Sequence, residues 1–383
     1  MSNDPTSQIN LKNPGDGISV IVATHGRLRL VEKLLQSLYV EKQKLKANSE
    51  VLIIDSSPQS IADPMSSVCS KYEAIYVPYE CNNVREKRNL GIKKAQYAIL
   101  LFIDSDCIAM EHLLEEHLKA YATNDNSIGG VIGLTRFAGS DTWIWKVITH
   151  TSLLDAFSYA ERFDTVPWGP TCNISYRKDV IEKTGYFDTG FPFRLGGDDT
   201  DLGLRVNDAG YVIRSNPGAV VEHTRETWSR IDLIGKRVFR WGRMHFHMMR
   251  KYKKRVFYDF PKITGLFIFL LLLITPLAIY NADLCYFSVP FIWLAINILL
   301  ETILLCVILG NSFWESGHIF FARLFSLLFE LGTFVEALKN GSLLPFYKEA
   351  NYTPPSLNGR NRRIIQIWGS TMSLIILLIL RLF

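Results

Sequence analysis

Between Ile263 and Tyr280 eighteen consecutive residues carry no charge, and from Leu284 to Gly310 only Glu301 interrupts a second apolar run. Each run is long enough to cross a bilayer as a helix. The preceding two-thirds of the 383 residues contain nothing comparable, although 48% of the chain is hydrophobic. Such an uneven distribution predicts a globular domain followed by a membrane region.

Asn281-Ala282-Asp283 separates the two runs, so they read as a hairpin that leaves and returns to one side. Ile319–Leu338 is also apolar but carries Arg323, Glu330 and Glu336, which predicts a helix lying in the interface or packed on the bundle, with an additional span as the alternative. The last apolar run, Ile364–Leu382, follows Arg360, Arg362 and Arg363. The positive-inside rule then places those arginines and the globular domain in the cytoplasm, at the inner membrane of the cell, with three spans and the far end outside. Between Arg225 and Lys262 stand twelve Lys/Arg against three Asp/Glu. A basic stretch next to apolar helices suits anionic lipid headgroups rather than nucleic acid. The expected division is therefore a disordered N-terminus (1–17), a globular domain (18–240), a basic juxtamembrane segment (241–262) and the membrane region (263–383). Residues 1–17 have no apolar segment, so no cleavable signal peptide is expected. The six cysteines lack CxxC pairing, which argues against a zinc site or a disulfide framework.

Within the globular part, Ile18–Ala23 is a β-branched run that ends at Thr24-His25-Gly26-Arg27, followed by Val31, Leu34, Leu35 and Leu38 at helical spacing. Val51–Ile54 ends likewise at Asp55, and Ala98–Ile103 at Asp104. Continuous apolar strands alternating with amphipathic helices predict an α/β fold, a mostly parallel sheet with helices on both faces. Ligands bind beyond the carboxyl ends of such strands, where Thr24, Arg27, Asp55, Asp104 and Asp106 all fall.

Asp104-Ser105-Asp106 could hold a hard divalent cation that also binds phosphate oxygens, although an isolated pair of this kind is as readily a solvated turn. His223, near another strand end, is a candidate third ligand beside Asp104 and Asp106. Asp198, Asp199 and Asp201 follow a Gly-Gly turn, and three carboxylates in four residues repel one another unless compensated. Helix capping by Asp198 or Asp199 accounts for one or two of them. The remaining one is a candidate general base.

Taken in order, these motifs resemble family 2 glycosyltransferases, whose catalytic domain has the GT-A fold, a Rossmann-like arrangement. The resemblance runs from about Ile18 to Trp241. It rests on the opening strand with Thr24 and Arg27, on Asp55, Arg88-Asn89-Leu90-Gly91, Asp104-Ser105-Asp106, Gly169–Ser175, Gly185-Tyr186-Phe187-Asp188, and Asp198-Asp199-Thr200-Asp201-Leu202. It implies a nucleotide-sugar donor bound by Thr24, Arg27, Asp55, Arg88 and Asp104, with Arg27 and Asp55 toward the nucleoside and Arg88 and Asp104 toward the ribose or diphosphate. It further implies Mg²⁺ or Mn²⁺ on Asp106, Asp199 as the catalytic aspartate, and Trp168, Gly197, Asp198, Arg240 and Trp241 on the acceptor side. The acceptor expected for a domain at the membrane is a lipid-linked sugar or glycan. Two departures stand out: Asp198 replaces the usual glutamate, and Arg237 replaces the glutamine of the QxxRW motif of processive synthases. The competing readings are a processive polysaccharide synthase and a non-catalytic membrane scaffold of the same fold.

Overall fold

The computed structural model describes residues 17–379 apart from residues 124, 192–195, 309, 311–312 and 355–356. The expected disordered segment, all but Gly17, and the end of the last apolar run lie outside the described residues. In chain order the elements are β1 (Gly17–Thr24), α1 (Leu28–Lys44), β2 (Asn48–Asp55), α2 (Gln59–Lys71), β3 (Ile75–Pro78), α3 (Val84–Lys94), β4 (Ile99–Ile103), β5 (Cys107–Ala109) and α4 (Leu113–Tyr121). They continue as β6 (Ile128–Ala138), α5 (Trp143–Thr149), α6 (Tyr159–Arg162), β7 (Thr165–Val166), β8 (Asn173–Arg177), α7 (Lys178–Thr184), α8 (Asp198–Asp208) and β9 (Val212–Thr224). The remainder comprises α9 (Ile231–Lys251), β10 (Val256–Tyr258), α10 (Ile263–Tyr280), α11 (Ser288–Ile308), α12 (Ser316–Lys339), β11 (Lys348–Ala350) and α13 (Leu357–Ile379).

Two compact units result. The first is Met1–Ser140, Asp155–Thr227 and Tyr352–Pro354; the second is Asp141–Leu154, Trp228–Asn351 and Pro355–Phe383. The division falls upstream of residue 240 because α9 runs unbroken through that position as part of the second unit.

The first unit is a sheet in the order β3-β2-β1-β4-β8-β6-β9-β5, with β7 on β9. Strands β3, β2, β1 and β4 run parallel to one another, the arrangement that their apolar runs imply. Beyond β4 the sheet is mixed: β8 is antiparallel to both β4 and β6, β9 is parallel to β6, and β5 and β7 are antiparallel to β9. Strand alternation divides the core in two. Ile18, Val20 and Val22 face α1, α2 and α4 through Leu34, Met65 and Leu114, whereas Ile21, Leu100 and Phe102 face α3, α7 and α8 through Ile92, Ile181 and Leu202. Both faces are covered, so the polar strand ends are left to one edge of the sheet.

In the second unit, four helical stretches are long and apolar enough to cross a membrane: Ile263–Tyr280, Leu284–Ile308, Ser316–Lys339 and Arg360–Ile379. One of them, α12, is tied to the residues that precede α10. Glu330 accepts hydrogen bonds from the backbone N–H (3.2 Å) and hydroxyl (3.1 Å) of Thr264, in the first turn of α10. Glu336 pairs with Arg243 (2.8 Å) and His247 (2.9 Å) of α9. Helices α9 and α12 cross where each has a glycine: a Cβ on Gly242 would stand 1.9 Å from the Phe329 carbonyl oxygen, and one on Gly332 2.2 Å from that of Phe239. Beyond α12, β11 pairs with β10, so residues 348–350 lie beside residues 256–258. Arg323, buried on α12, meets Glu301 of α11 and Glu330.

Candidate active site

Three side-chain groups gather at the carboxyl ends of β1, β2 and β4. The first centres on Arg88, in the middle of α3. Its guanidinium meets Asp198 (2.5 Å) and Asp104 (3.1 Å) and lies over the Phe187 ring. Arg88 thus joins the first carboxylate of Asp104-Ser105-Asp106 to the start of α8. Neighbouring residues fix the same junction. Arg85, itself 1% exposed, donates to the carbonyls of Phe191 (3.3 Å) and Gly196 (2.9 Å). Asn89 and Phe187 exchange hydrogen bonds of 2.9 Å in both directions.

At the start of α8, Gly196 and Gly197 have φ of 95° and 76°, a region that glycine enters without a steric penalty. Gly197 is the N-cap, so neither Asp198 nor Asp199 caps the helix; both stand in its first turn with Asp201. The three carboxylates separate by partner. Asp198 turns to Arg88, Asp201 to Arg205 (3.0 Å), and Asp199, among the described residues, accepts from the Thr200 N–H at 2.8 Å and its hydroxyl at 3.5 Å. Burial, reinforced by the charge of Asp198, pushes the Asp199 carboxyl up to about 7. An aspartate ionising near neutrality can take a proton and release it at working pH.

The second group is Asp106, Cys107 and His223, whose ligating atoms lie within 4.8 Å of one another. Cys107 and His223 are cross-strand partners on β5 and β9. The His223 Nδ1 lies 2.9 Å from the Thr224 carbonyl, which can only accept, and Nε2 lies 3.5 Å from Asp106 Oδ1. A histidine whose Nδ1 meets a carbonyl while its Nε2 faces a carboxylate has the arrangement common among metal ligands. Asp106 Oδ2 is meanwhile bound by Arg27 (2.9 Å). Cys107 is buried, and burial drives its thiol well above the ordinary range, away from the thiolate a metal requires. Asp104, expected among the ligands, is absent from this cluster because its carboxylate turns to Arg88.

The third group surrounds Asp55, 1% exposed. Its Oδ1 accepts from the Ser57 N–H (3.0 Å) and hydroxyl (2.6 Å), and Oδ2 from Tyr76 (3.2 Å). Thr24 is buried at the end of β1, where its carbonyl accepts from Lys87 (2.6 Å). Sequence reading missed Lys87 and Ser57 entirely, and it saw Cys107 only as one of six cysteines without metal-ligand spacing.

The acceptor-side candidates are dispersed. Asp198 belongs to the Arg88 pair, because its buried carboxylate requires a cation. Trp168, in the first unit, donates from Nε1 to the Tyr352 carbonyl (2.7 Å) and packs on Gly203. Arg240 and Trp241 lie on α9 in the second unit, where the Trp241 ring is 6.2 Å from that of Trp228.

Residues 19–185 match the family profile described as Glycosyl transferase family 2. Among similar curated proteins, the probable glycosyltransferase YdaM of Bacillus subtilis (strain 168) is 25% identical over 298 residues, covering 70% of this chain and 67% of its own. Glycosyltransferase AglE of Haloferax volcanii is 26% identical over 202 residues, covering 51% and 62%. The succinoglycan biosynthesis protein ExoM of Rhizobium meliloti is 25% identical over 239 residues, covering 61% and 75%. Among solved structures, the mannosyltransferase PcManGT of Pyrobaculum calidifontis, in complex with GDP-Man and Mn²⁺, aligns with a TM-score of 0.46 at 18% identity over 63% of this chain and 68% of its own.

Proposed function

We propose, on the premise that residues 19–185 form a family 2 glycosyltransferase domain, that this chain is an inverting transferase using a nucleotide sugar at a membrane surface. The observation that carries the mechanism is Asp199. Among the described residues Asp198 and Asp201 are each paired with an arginine, whereas Asp199 makes no such ion pair and ionises near neutrality.

Asp199 takes the proton of an acceptor hydroxyl as that oxygen forms a bond to the anomeric carbon. The bond from that carbon to the departing diphosphate oxygen breaks on the opposite face, so configuration inverts. Arg88 holds Asp198 and Asp104 and keeps their charge from adding fully to that around Asp199. Asp106 and His223 would hold a divalent cation, Mg²⁺ or Mn²⁺, whose charge offsets that of the leaving diphosphate when bound. Arg27, paired with Asp106 and 40% exposed, would meet a donor anion. General-base action contributes about 3–5 kcal/mol in such sites.

The acceptor we propose is a lipid-linked sugar or glycan, presented where α10, α11 and α13 enter the cytoplasmic face of the membrane. Three crossings, with α12 in the interface, suit the contacts of the second unit. Were α12 upright, Glu330 would lie about 21 Å beyond Ser316 along the helix axis. Yet it binds the first turn of α10, and β11 pairs with β10 just before α10. An interfacial α12 also keeps Arg323, Glu330 and Glu336 near the headgroups.

Incubating the full chain in detergent with UDP-, GDP- and dTDP-sugars and a lipid extract, with and without Mn²⁺, tests the reading. Metal-dependent release of one nucleotide and a product of opposite anomeric configuration are expected. No release from any donor would favour a scaffold, and long products would favour a processive synthase.

A further inference from the structure

We infer that Lys87 is a positioning residue for the nucleoside end of the donor: its ammonium ties the end of β1, the end of β2 and the segment before α3 into one ledge. The inference rests on the nucleotide-sugar reading above. Lys87 is 2% exposed, on α3 between Arg85 and Arg88. Its Nζ lies 2.6 Å from the Thr24 carbonyl, 2.9 Å from the Ser56 hydroxyl and 3.2 Å from the Asn82 side-chain oxygen. An ammonium has three protons, and these three acceptors use them all.

The acceptors come from three separate stretches of chain, and each is coupled to further groups on the same edge. The Ser56 N–H donates to the Thr24 carbonyl (3.3 Å), and the Ser56 carbonyl accepts from His25 Nδ1 (2.9 Å). The Ser57 hydroxyl accepts from the Gly26 N–H (2.7 Å) and donates to Asp55. Lys87 therefore lies behind the residues that flank Asp55, at the strand ends where an open sheet takes its ligand. A phosphate-binding lysine must present its charge outward. This one is enclosed and saturated, so its influence on the donor passes through the backbone and hydroxyls it holds. Burial pushes the ammonium down to about 8, against the pull of Asp55, which leaves it charged at neutral pH. A buried charge is retained when its partners are in place and is costly when they move, which makes the ledge rigid.

The variant Lys87→Met removes the ammonium and keeps most of the side-chain volume. The full chain in detergent is titrated by calorimetry with UDP, GDP and dTDP, and separately with inorganic pyrophosphate, which lacks the nucleoside. For the nucleotide that the wild type binds, K87M is expected to weaken affinity by about tenfold or more, the effect of losing one charge-assisted hydrogen bond. Pyrophosphate affinity and kcat at saturating donor are expected to stay within about twofold, with the loss appearing in KM. Unchanged nucleotide affinity in folded K87M overturns the inference. So does a parallel loss for pyrophosphate, which would indicate direct phosphate contact or general collapse. If K87M does not fold, Asn82→Ala, an exposed position that removes one acceptor, decides: a smaller loss for the nucleotide alone supports the role, and wild-type affinity overturns it. A wild type that binds none of the three nucleotides, with the protein folded, refutes the donor reading itself rather than the part played by Lys87.

Discussion

Replacing Arg88 by methionine isolates the charge arrangement on which the candidate site depends. In the native chain the guanidinium bridges Asp198 at 2.5 Å and Asp104 at 3.1 Å, and the side chains of Arg88 and Asp198 are 8% and 5% exposed. Removing one partner of a buried ion pair leaves the other charge unpaired, which costs about 3–5 kcal/mol. Asp104 adds little to this, since at 38% exposure water screens it. For a unit of this size each kcal/mol lowers the melting temperature by about 2–4 °C, so R88M should melt on the order of 10 °C below wild type. Differential scanning fluorimetry of the full chain in detergent measures this. If the deficit arises from the stranded Asp198, then Asp198→Asn in the R88M background restores a large part of it, while D198N alone destabilises less, because Arg88 keeps the Asp104 carboxylate at 3.1 Å. A melting temperature within about 2 °C of wild type for R88M, or no rescue in the double variant, would show that Asp198 does not depend on Arg88 for its charge compensation.

Other outcomes follow from the same geometry. The acid limb of kcat/KM should have its midpoint near pH 7, where Asp199 loses its proton, and should move to lower pH in D198N, which removes a charge that raises it. Because the folded value of Asp199 is raised above its unfolded one, its contribution to stability is present below about pH 4 and lost as pH rises through about 7. D199N should therefore melt above wild type at pH 8 but not at pH 4, as scanning fluorimetry at both values would record. His223→Ala should weaken Mn²⁺ binding, followed by electron paramagnetic resonance, by about tenfold or more, whereas C107S should leave it near wild type. Gly332→Ala puts a methyl group against the Phe239 carbonyl and should destabilise the α9–α12 crossing by about 1–3 kcal/mol, read as a lower melting temperature.

Strand ends were the most legible part of the sequence. Each of β1, β2 and β4 is a continuous apolar run closed by a polar residue, and burial on both faces is what produces such runs. The mixed half of the sheet was not legible, because the direction of β8 depends on which edge it meets, and no local pattern encodes that. Among the site residues, Asp199 and Arg88 stood in recognisable order. Their division of labour did not: three adjacent aspartates look alike until Arg88 and Arg205 claim two of them. Lys87 was hidden for a related reason. A lysine on a helix reads as a solvated charge, and only the tertiary approach of Thr24, Ser56 and Asn82 shows that it is enclosed. In the second unit, apolar length alone does not set α12 apart from the other three membrane-capable helices; the interfacial reading of α12 rests instead on the hydrogen bonds of Glu330 and Glu336, which no local pattern encodes.

If Asp199 is the base of a displacement on a nucleotide sugar, Asp199→Asn should separate turnover from donor binding on the donor that the wild type turns over, with kcat measured by assay and donor affinity by calorimetry. The expected kcat falls by about 10²–10⁴ with donor affinity within about twofold of wild type, because the base acts on the acceptor hydroxyl. Wild-type turnover in D199N would contradict it.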